Sequence, residues 1–238
     1  MVEKMIKLEN LSVGHQSTCL ESLNIGFTKS EITLFLGSNG IGKSCLLNTM
    51  CGSLSPLAGR VNGLSSDLYE RSREISYCYQ SSLQDSLMTV KDYLSLISPF
   101  RDNLYGDFVK MMGVEKLLNQ SIGMISGGEK QRVKILSCLL QDSKMILLDE
   151  PTNSLDPFYV DQLIACLKIL KKSDCMIILA THDLNFAIKI GDRFIGFKDK
   201  TSLFDCTLES LIHNQTLDSL FEKKFEWYKN SNGDYSLC

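Results

Sequence analysis

Residues 32–44 read ITLFLGSNGIGKS: a short apolar run followed at once by glycines, a lysine and a serine. The run at 32–36 has the length and composition of a β-strand that is buried on both faces. Residues 37–44 fit the pattern GxxxxGK[ST], in which glycine amides curl around phosphate oxygens just before a helix begins. The stretch therefore predicts a strand, a phosphate-binding loop and a helix over Lys43–Cys51, in that order.

The residue types of this loop fit a bound nucleoside triphosphate. Backbone amides and the N-terminus of the following helix supply positive partial charge. Lys43 can reach the β- and γ-phosphates, and the Ser44 hydroxyl can bind Mg²⁺. The expected nucleotide-binding residues of the loop are Gly37, Ser38, Asn39, Gly40, Ile41, Gly42, Lys43 and Ser44.

Two further apolar runs, at 145–148 and 176–180, are also short enough to be buried strands. Polar residues follow each of them: Asp149 and Glu150 after the first, and His182 close behind the second. In an open parallel sheet the ligand binds beyond the carboxyl ends of the strands. We therefore expect all three strand ends to meet at one site.

The two adjacent carboxylates can hold different tasks, because side chains diverge at a strand end. Asp149 is expected to bind magnesium, and Glu150 to polarise the water that attacks the γ-phosphate. His182 can donate to the γ-phosphate and so detect an intact triphosphate. A solvated strand end and a structural histidine are the alternatives, and the phosphate loop favours the functional interpretation.

The rest of the chain fits an α/β fold with crossover helices. Apolar residues recur at helical spacing over 156–171, and Ile6–Val13 alternates apolar and polar residues like a strand of an N-terminal antiparallel sheet. The stretch Leu83–Leu140 is interpreted as an inserted helical subdomain, with helical segments at 89–97, 106–112 and 128–140. The length suits one domain, over 1–238.

Residues 125–131 read ISGGEKQ and place a serine and two glycines at the start of a predicted helix. A hydroxyl and unshielded amides at a helix N-terminus form an anion site. Since the chain already has a complete phosphate loop, this second cradle is expected to serve a nucleotide held by another copy or a partner. Ser126 and Glu129 also fit an ordinary capping box, and the two roles are compatible.

These motifs follow one another in a definite order. The order is the phosphate loop, Gln80, ISGGE at 125–129, LLDEPT at 147–152, SLD at 154–156 and His182. It resembles the nucleotide-binding domains of ABC (ATP-binding cassette) transporters over almost the whole chain. The resemblance implies a P-loop NTPase fold with a mostly parallel sheet, an ATP hydrolase activity, and ATP and Mg²⁺ as cofactors.

The resemblance also implies roles for single residues. Gln80 would bind magnesium and the lytic water and couple to a membrane subunit, which makes Ser44, Gln80 and Asp149 the expected metal ligands. Glu150, His182 and Gln80 are the expected catalytic residues. Ser126, Gly127, Gly128 and Glu129 would be the signature, and Asp156 would lie in the loop that communicates between protomers.

Two partners follow from the resemblance: transmembrane permease subunits and a second nucleotide-binding subunit, with a homodimer expected. The two nucleotide-binding subunits would pack head to tail around two ATP molecules.

Two positions depart from the family pattern. His15 stands where an aromatic residue usually stacks on adenine, so weaker adenine binding is expected, and Ile125 replaces the usual Leu at similar volume.

The composition limits other functions. With 25 basic and 28 acidic residues the net charge is -3, which gives no electrostatic footprint for nucleic acid. No apolar run approaches the roughly 20 residues that cross a bilayer, and Met1–Asn10 lacks the apolar stretch of a signal peptide. We therefore expect a cytoplasmic protein, held at the inner face of the cell membrane by its permease.

The nine cysteines form no CxxC pair, so neither a disulfide framework nor a zinc site is expected.

Several alternatives differ in class. A P-loop kinase or GTPase would have no use for Ile125–Glu129, and a scaffold that binds ATP without cutting it would not need Glu150 and His182. The run THDLN at 181–185 and the form of the C-terminal end are similar to ATPases of importers for iron-siderophore, haem or cobalamin. The ATPase of an ABC exporter and a soluble non-transport ABC ATPase remain open.

Overall fold

A computed structural model describes residues 6–81, 83–97, 102–214, 216–231 and 235–237. The strands are β1 (Ile6–Gly14), β2 (Thr18–Phe27), β3 (Ile32–Leu36), β4 (Ala58–Asn62), β5 (Ile75–Cys78), β6 (Met145–Asp149), β7 (Met176–Ala180), β8 (Arg193–Lys198), β9 (Thr201–Thr207), β10 (Trp227–Lys229) and β11 (Tyr235–Leu237). The α-helices are α1 (Lys43–Cys51), α2 (Leu68–Glu74), α3 (Val90–Ile97), α4 (Asp102–Met111), α5 (Gly127–Leu139), α6 (Pro157–Lys171), α7 (Leu184–Ile190), α8 (Leu208–His213) and α9 (Thr216–Phe221).

The central sheet has six strands in the order β5-β6-β7-β3-β8-β9. The first five run parallel, and β9 pairs antiparallel with β8 at the edge. The predicted apolar runs form β3, β6 and β7, and every residue of these strands is buried. The mostly parallel α/β fold predicted from the sequence is confirmed.

The side chains of the central strands alternate between two cores, one on each face of the sheet. On β6, Ile146 and Leu148 pack with α5, α6 and α7, whereas Met145 and Leu147 pack with the antiparallel sheet and α1. That antiparallel sheet has the order β2-β1-β4, and it contains the strand predicted at Ile6–Val13. Both faces of the central sheet are therefore covered, as a parallel sheet requires.

The predicted helix after the phosphate loop has the predicted bounds, Lys43–Cys51. Its N-cap, Gly42, has φ +115°, in the left-handed region that favours glycine, and its C-cap, Gly52, has φ +89°. The helix predicted over 156–171 begins one residue later, with Asp156 as its N-cap and Pro157 in its first turn.

Between the neighbouring strands β5 and β6 the chain forms α3, α4, two short 3₁₀ helices and α5. The segment predicted at 106–112 belongs to α4, which begins at Asp102, so that prediction placed the start too late. Residues 82 and 98–101 of the predicted helical subdomain lie outside the described residues. Across the described part of the chain, no helix combines the length and the apolar character that a membrane span requires.

The burial of Leu147 predicts a strong dependence of stability on that side chain. Leu147 is 0% exposed at the centre of β6, so Leu147→Ala leaves a cavity and should lower the free energy of unfolding by about 3 kcal/mol. Leu203→Ala on the edge strand β9, where the side chain is 45% exposed, is the matched control and should cost no more than about 0.5 kcal/mol. Urea unfolding measures both, and equal losses would contradict the two-core arrangement.

Candidate nucleotide-binding site

A cavity of about 300 Å³ lies where β3, β5 and β6 end. Its lining residues come from three separate parts of the chain: Asn39, Gly40, Gly42, Lys43, Ser44 and Cys45, then Gln80, then Asp149 and Glu150. The parallel order of the strands explains this meeting, because neighbouring parallel strands end at the same edge of the sheet. The structure thus brings the predicted loop, metal and water-activating residues to one place.

The phosphate loop is closed around its own lysine. The Lys43 Nζ donates to the carbonyl oxygens of Gly37 at 2.7 Å and Ser38 at 3.1 Å. Burial lowers the pKa of Lys43, and the carboxylates of Glu150 and Asp149 partly offset that effect. A phosphate group can compete for this ammonium, since an anion is a stronger acceptor than a peptide carbonyl.

Strand β2 packs directly on the phosphate loop. A Cβ atom on Gly42 would lie 2.8 Å from the Cβ of Cys19 and 3.1 Å from the Cγ of Leu20. Since carbon atoms in contact lie about 3.5–4.0 Å apart, these distances leave no room for a side chain. A glycine is therefore required at position 42 by space as well as by φ.

Asp149 is a buried carboxylate with few compensating contacts. Burial raises its pKa, while a hydrogen bond from Ser44 and the charge of Lys43 oppose that rise. A carboxylate and a hydroxyl side by side are the oxygen donors that Mg²⁺ prefers, and a divalent cation would offset the burial of the charge. Ser44 and Asp149 therefore fit the predicted magnesium site.

Glu150 and His182 are held together at the ends of β6 and β7. Glu150 adopts φ +48°, and its N–H donates to the carbonyl oxygen of Ala180 at 2.8 Å. One carboxylate oxygen of Glu150 accepts from the backbone N–H of His182 at 3.2 Å and lies 2.7 Å from its Nδ1. Glu150 is 7% exposed, whereas the His182 side chain is 54% exposed and open to the solvent side of the site.

Gln80 follows β5 directly and lines the same cavity. The peptide carbonyls on either side of it, those of Tyr79 and Ser81, both accept hydrogen bonds from Lys134. Lys134 is not among the site residues predicted from the sequence. The available signal was a lysine near the start of a mostly apolar helix segment, over 133–140.

His15 lies in the exposed turn between β1 and β2, two strands that precede the phosphate loop. It is not among the described residues that line the cavity. The strand after it reaches the loop at Cys19, which contacts the position of Gly42. His15 is therefore placed on the hairpin that borders the loop, on the solvent side.

Three of the four predicted signature residues line a second cavity of about 300 Å³, and Gly127 is not among its lining residues. Its lining is Ser126, Gly128, Glu129, Arg132, Ser154, Leu155, Asp156 and Tyr159, and it shares no residue with the first cavity. A Cβ on Gly127 would meet nothing within 4 Å, so the helix N-terminus there is open. The structure brings the signature and Asp156 together, away from the phosphate loop of the same chain.

The local capping role of this segment is also present. The Ser126 Oγ accepts from the Glu129 N–H at 3.4 Å, and a Glu129 carboxylate oxygen accepts from the Ser126 N–H at 2.8 Å. The same carboxylate oxygen accepts from the Ser126 hydroxyl at 2.8 Å, and these bonds lower the pKa of Glu129. The capping box holds the first turn of α5 and leaves Gly128 at the cavity.

The family model for ABC transporters matches residues 20–153. A putative ABC transporter ATP-binding protein of Caldanaerobacter subterraneus is 32% identical, over 82% of this chain and 88% of its own length. A probable siderophore transport system ATP-binding protein of Bacillus subtilis is 28% identical, over 91% of this chain and 85% of its own length. Among solved structures, the ATP-binding cassette MJ0796, a dimer in a post-hydrolysis state with ADP and Pi, superposes with a TM-score of 0.75 at 25% identity, over 85% of this chain and 98% of the cassette.

The raised pKa of Asp149 predicts how stability depends on pH. The folded chain keeps the Asp149 proton to higher pH than the unfolded chain does, so the stabilisation from this group is present below about pH 4 and is lost as the pH rises through the folded pKa. Asp149→Asn stays neutral and can still accept from Ser44. In the absence of nucleotide and Mg²⁺ it should therefore raise the Tm at pH 7, with a gain that disappears below about pH 4.

Scanning calorimetry of the two proteins across this pH range tests the prediction. Asp107→Asn, at an exposed position of α4, is the matched control and should leave the Tm unchanged at both pH values. A lower Tm for Asp149→Asn at pH 7 would show that attraction to Lys43 outweighs the burial of the Asp149 charge.

Proposed function

The chain belongs to the ABC transporter family as an ATP-hydrolysing, ATP-binding subunit, and from that premise we propose that a head-to-tail pair of such chains drives substrate movement through partner membrane subunits. The proposal rests on the separation of the two cavities. One cavity holds the phosphate loop and the carboxylates, and the other holds an open helix N-terminus with no phosphate loop of its own. A second chain that laid its Ser126 end over the first cavity would complete the site.

ATP binds through the phosphate loop. The amides of residues 39–43 face the phosphates, and Lys43 exchanges the carbonyls of Gly37 and Ser38 for phosphate oxygens. Ser44, Asp149 and Gln80 would hold Mg²⁺, which would neutralise charge on the phosphates. The buried Lys43 and Asp149 gain a counter-charge each when the magnesium nucleotide enters.

Glu150 orients the attacking water and accepts its proton. His182 fixes the Glu150 carboxylate through the 2.7 Å contact at Nδ1, so the carboxylate lies ready at the edge of the cavity. The exposure of the His182 ring leaves it free to turn toward a γ-phosphate. His182 thereby links the state of the nucleotide to the position of the base.

ATP binding closes the pair and hydrolysis reopens it. Ser126, Gly127, Gly128 and Glu129 contact the nucleotide of the opposite chain, and Asp156, beside them, communicates between the protomers. The dimeric form of the MJ0796 cassette supports this arrangement. Permease subunits dock near Gln80 and hold the pair, as a homodimer, at the inner face of the cell membrane.

The proposed substrate class is an iron-siderophore, haem or cobalamin, moved inward. The relative named as a siderophore transport ATP-binding protein supports this class, in agreement with the THDLN run at 181–185. Reconstitution with candidate permeases tests this substrate class. The cognate permease and cargo should stimulate ATP hydrolysis, whereas stimulation only by a chemically unrelated cargo would contradict the proposed class.

Glu150→Gln tests the catalytic role. The amide cannot accept the proton of the attacking water, so hydrolysis should fall by roughly 100-fold or more while ATP binding persists. ATP should then hold the variant as a closed dimer in size-exclusion chromatography. Glu209→Gln, at an exposed position of α8, is the control and should hydrolyse ATP like the parent. Unaltered turnover in Glu150→Gln would refute the assignment.

His15→Tyr tests the adenine contact. A phenol ring offers more stacking area than an imidazole, so the Kd for ATP should fall by about 2- to 10-fold. Equilibrium titration with a fluorescent ATP analogue measures the change, and His213→Tyr on α8 should leave the Kd unaltered. An unchanged or weaker Kd in His15→Tyr would mean that residue 15 does not stack on adenine.

A further inference from the structure

Lys134 is a buried cation in the middle of α5. The residue is 8% exposed, and its helical neighbours Val133 and Ile135 are fully buried. None of the described carboxylates forms an ion pair with it. Burial deprives this ammonium of hydration, which is offset by hydrogen bonds to carbonyl groups and by a longer-range attraction to Asp149 that opposes the rise in the Asp149 pKa.

The hydrogen bonds of Lys134 converge on one short segment. Its Nζ donates to the carbonyl oxygen of Tyr79 at 2.7 Å and to that of Ser81 at 2.8 Å. These are the two peptide carbonyls that flank Gln80. Strand β5 pairs with β6 only as far as Cys78, so the ammonium takes the place of a strand partner for the residues beyond it.

We propose that Lys134 is a positioning residue that fixes the backbone at Gln80 and so directs the Gln80 side chain into the nucleotide cavity. The proposal rests on the role of Gln80 in the function proposed above. It adds a residue outside the cavity lining, and it explains why a costly buried cation stands where an apolar residue would fit the helix.

The same helix begins at the second cavity. From Ser126 to Lys134 the chain advances eight residues, or about 12 Å along the helix axis. Helix α5 therefore carries both the predicted signature residues and the lysine that binds the Gln80 segment.

Arg132, on the same helix, is a cation with a structural role and serves as a comparison for Lys134. Its guanidinium donates to the carbonyls of Met112 and Gly113 at 2.8 and 2.9 Å and lies 4.0 Å from the centre of the Tyr159 ring. Those contacts tie α5 to α6 and to the residues that follow α4, at the wall of the second cavity. Lys134 instead binds a segment at the nucleotide cavity, where its contacts fix the place of a side chain.

Lys134→Met removes the ammonium at similar length and volume. In ATPase assays of the full chain, kcat should fall by about 10-fold or more, because small misplacements of a group at a reacting centre cost large factors. The Kd for ATP should stay within about twofold, since the phosphate loop is untouched, and half-maximal activity should need more Mg²⁺. Lys134→Arg keeps the donors and should restore much of kcat.

Lys168→Met, at an exposed position of α6, is the matched control and should behave like the parent in every assay. Melting curves accompany the assays, and Lys134→Met should melt no more than a few degrees below the parent, because exchange of a buried cation for an apolar side chain is often neutral. Joint loss of ATP binding and hydrolysis in Lys134→Met would make Lys134 a fold-holding residue and overturn the proposal.

A double-mutant cycle with Gln80→Ala decides whether Lys134 acts through Gln80. In the Gln80→Ala background the Lys134→Met substitution should cost little further kcat. An undiminished further loss would place its action elsewhere, for example on Asp149, and would overturn the proposal. If Gln80→Ala alone hydrolyses ATP like the parent, the role of Gln80 in the proposed function fails, and that outcome is distinct from additivity in the cycle.

Discussion

Burial of charge at the carboxyl edge of the central sheet is the constraint on which the site depends. Lys43, Asp149 and Glu150 are 6%, 3% and 7% exposed, and burial lowers the pKa of Lys43 and raises that of Asp149. Without nucleotide these groups are compensated by the carbonyls of the loop, by a hydroxyl and by His182. The site is thus less stable than an apolar one would be, and its buried charges suit a charged ligand.

The layers of the fold keep those groups in register. Alternate side chains of β6 enter opposite cores, so the strand cannot slip by one residue without exposing apolar side chains to the wrong face. Each core therefore fixes where β6 ends, and the end of β6 is where Asp149 and Glu150 lie. Core packing on both faces of the sheet is in this way a requirement of catalytic geometry as well as of stability.

The sequence predicted the parts of the fold that carry local signals. Strands β3, β6 and β7 were predicted from their short apolar runs, and α1 as the helix that follows a phosphate loop, whereas the interior strand β8 was not predicted. Strand β5 was missed because its four residues, ISYC, follow the polar helix α2 and have little hydrophobic pattern of their own. Strand β9 was missed because it lies at the sheet edge with most of its residues exposed.

Contacts between distant segments were beyond the reach of pattern and spacing. Lys134 and Tyr79 are 55 residues apart in sequence and 2.7 Å apart in space, and no local signal connects them. The motif residues were found because each ends a strand or begins a helix, where residue type is restricted. Lys134 is marked in the sequence only as a charge in an apolar stretch, and only the packing of α5 against the end of β5 shows what it binds.

Helix α5 contributes to two different places in the fold: its first turn lies at the second cavity, and Lys134 binds the segment around Gln80. Its first turn needs free amides at an open cavity, which the capping box leaves available by using the Ser126 and Glu129 side chains for each other. Its second half needs a donor long enough to reach past the end of β5, and a lysine at position 134 supplies it. One helix thus sets the spacing between the second cavity and the backbone that flanks Gln80.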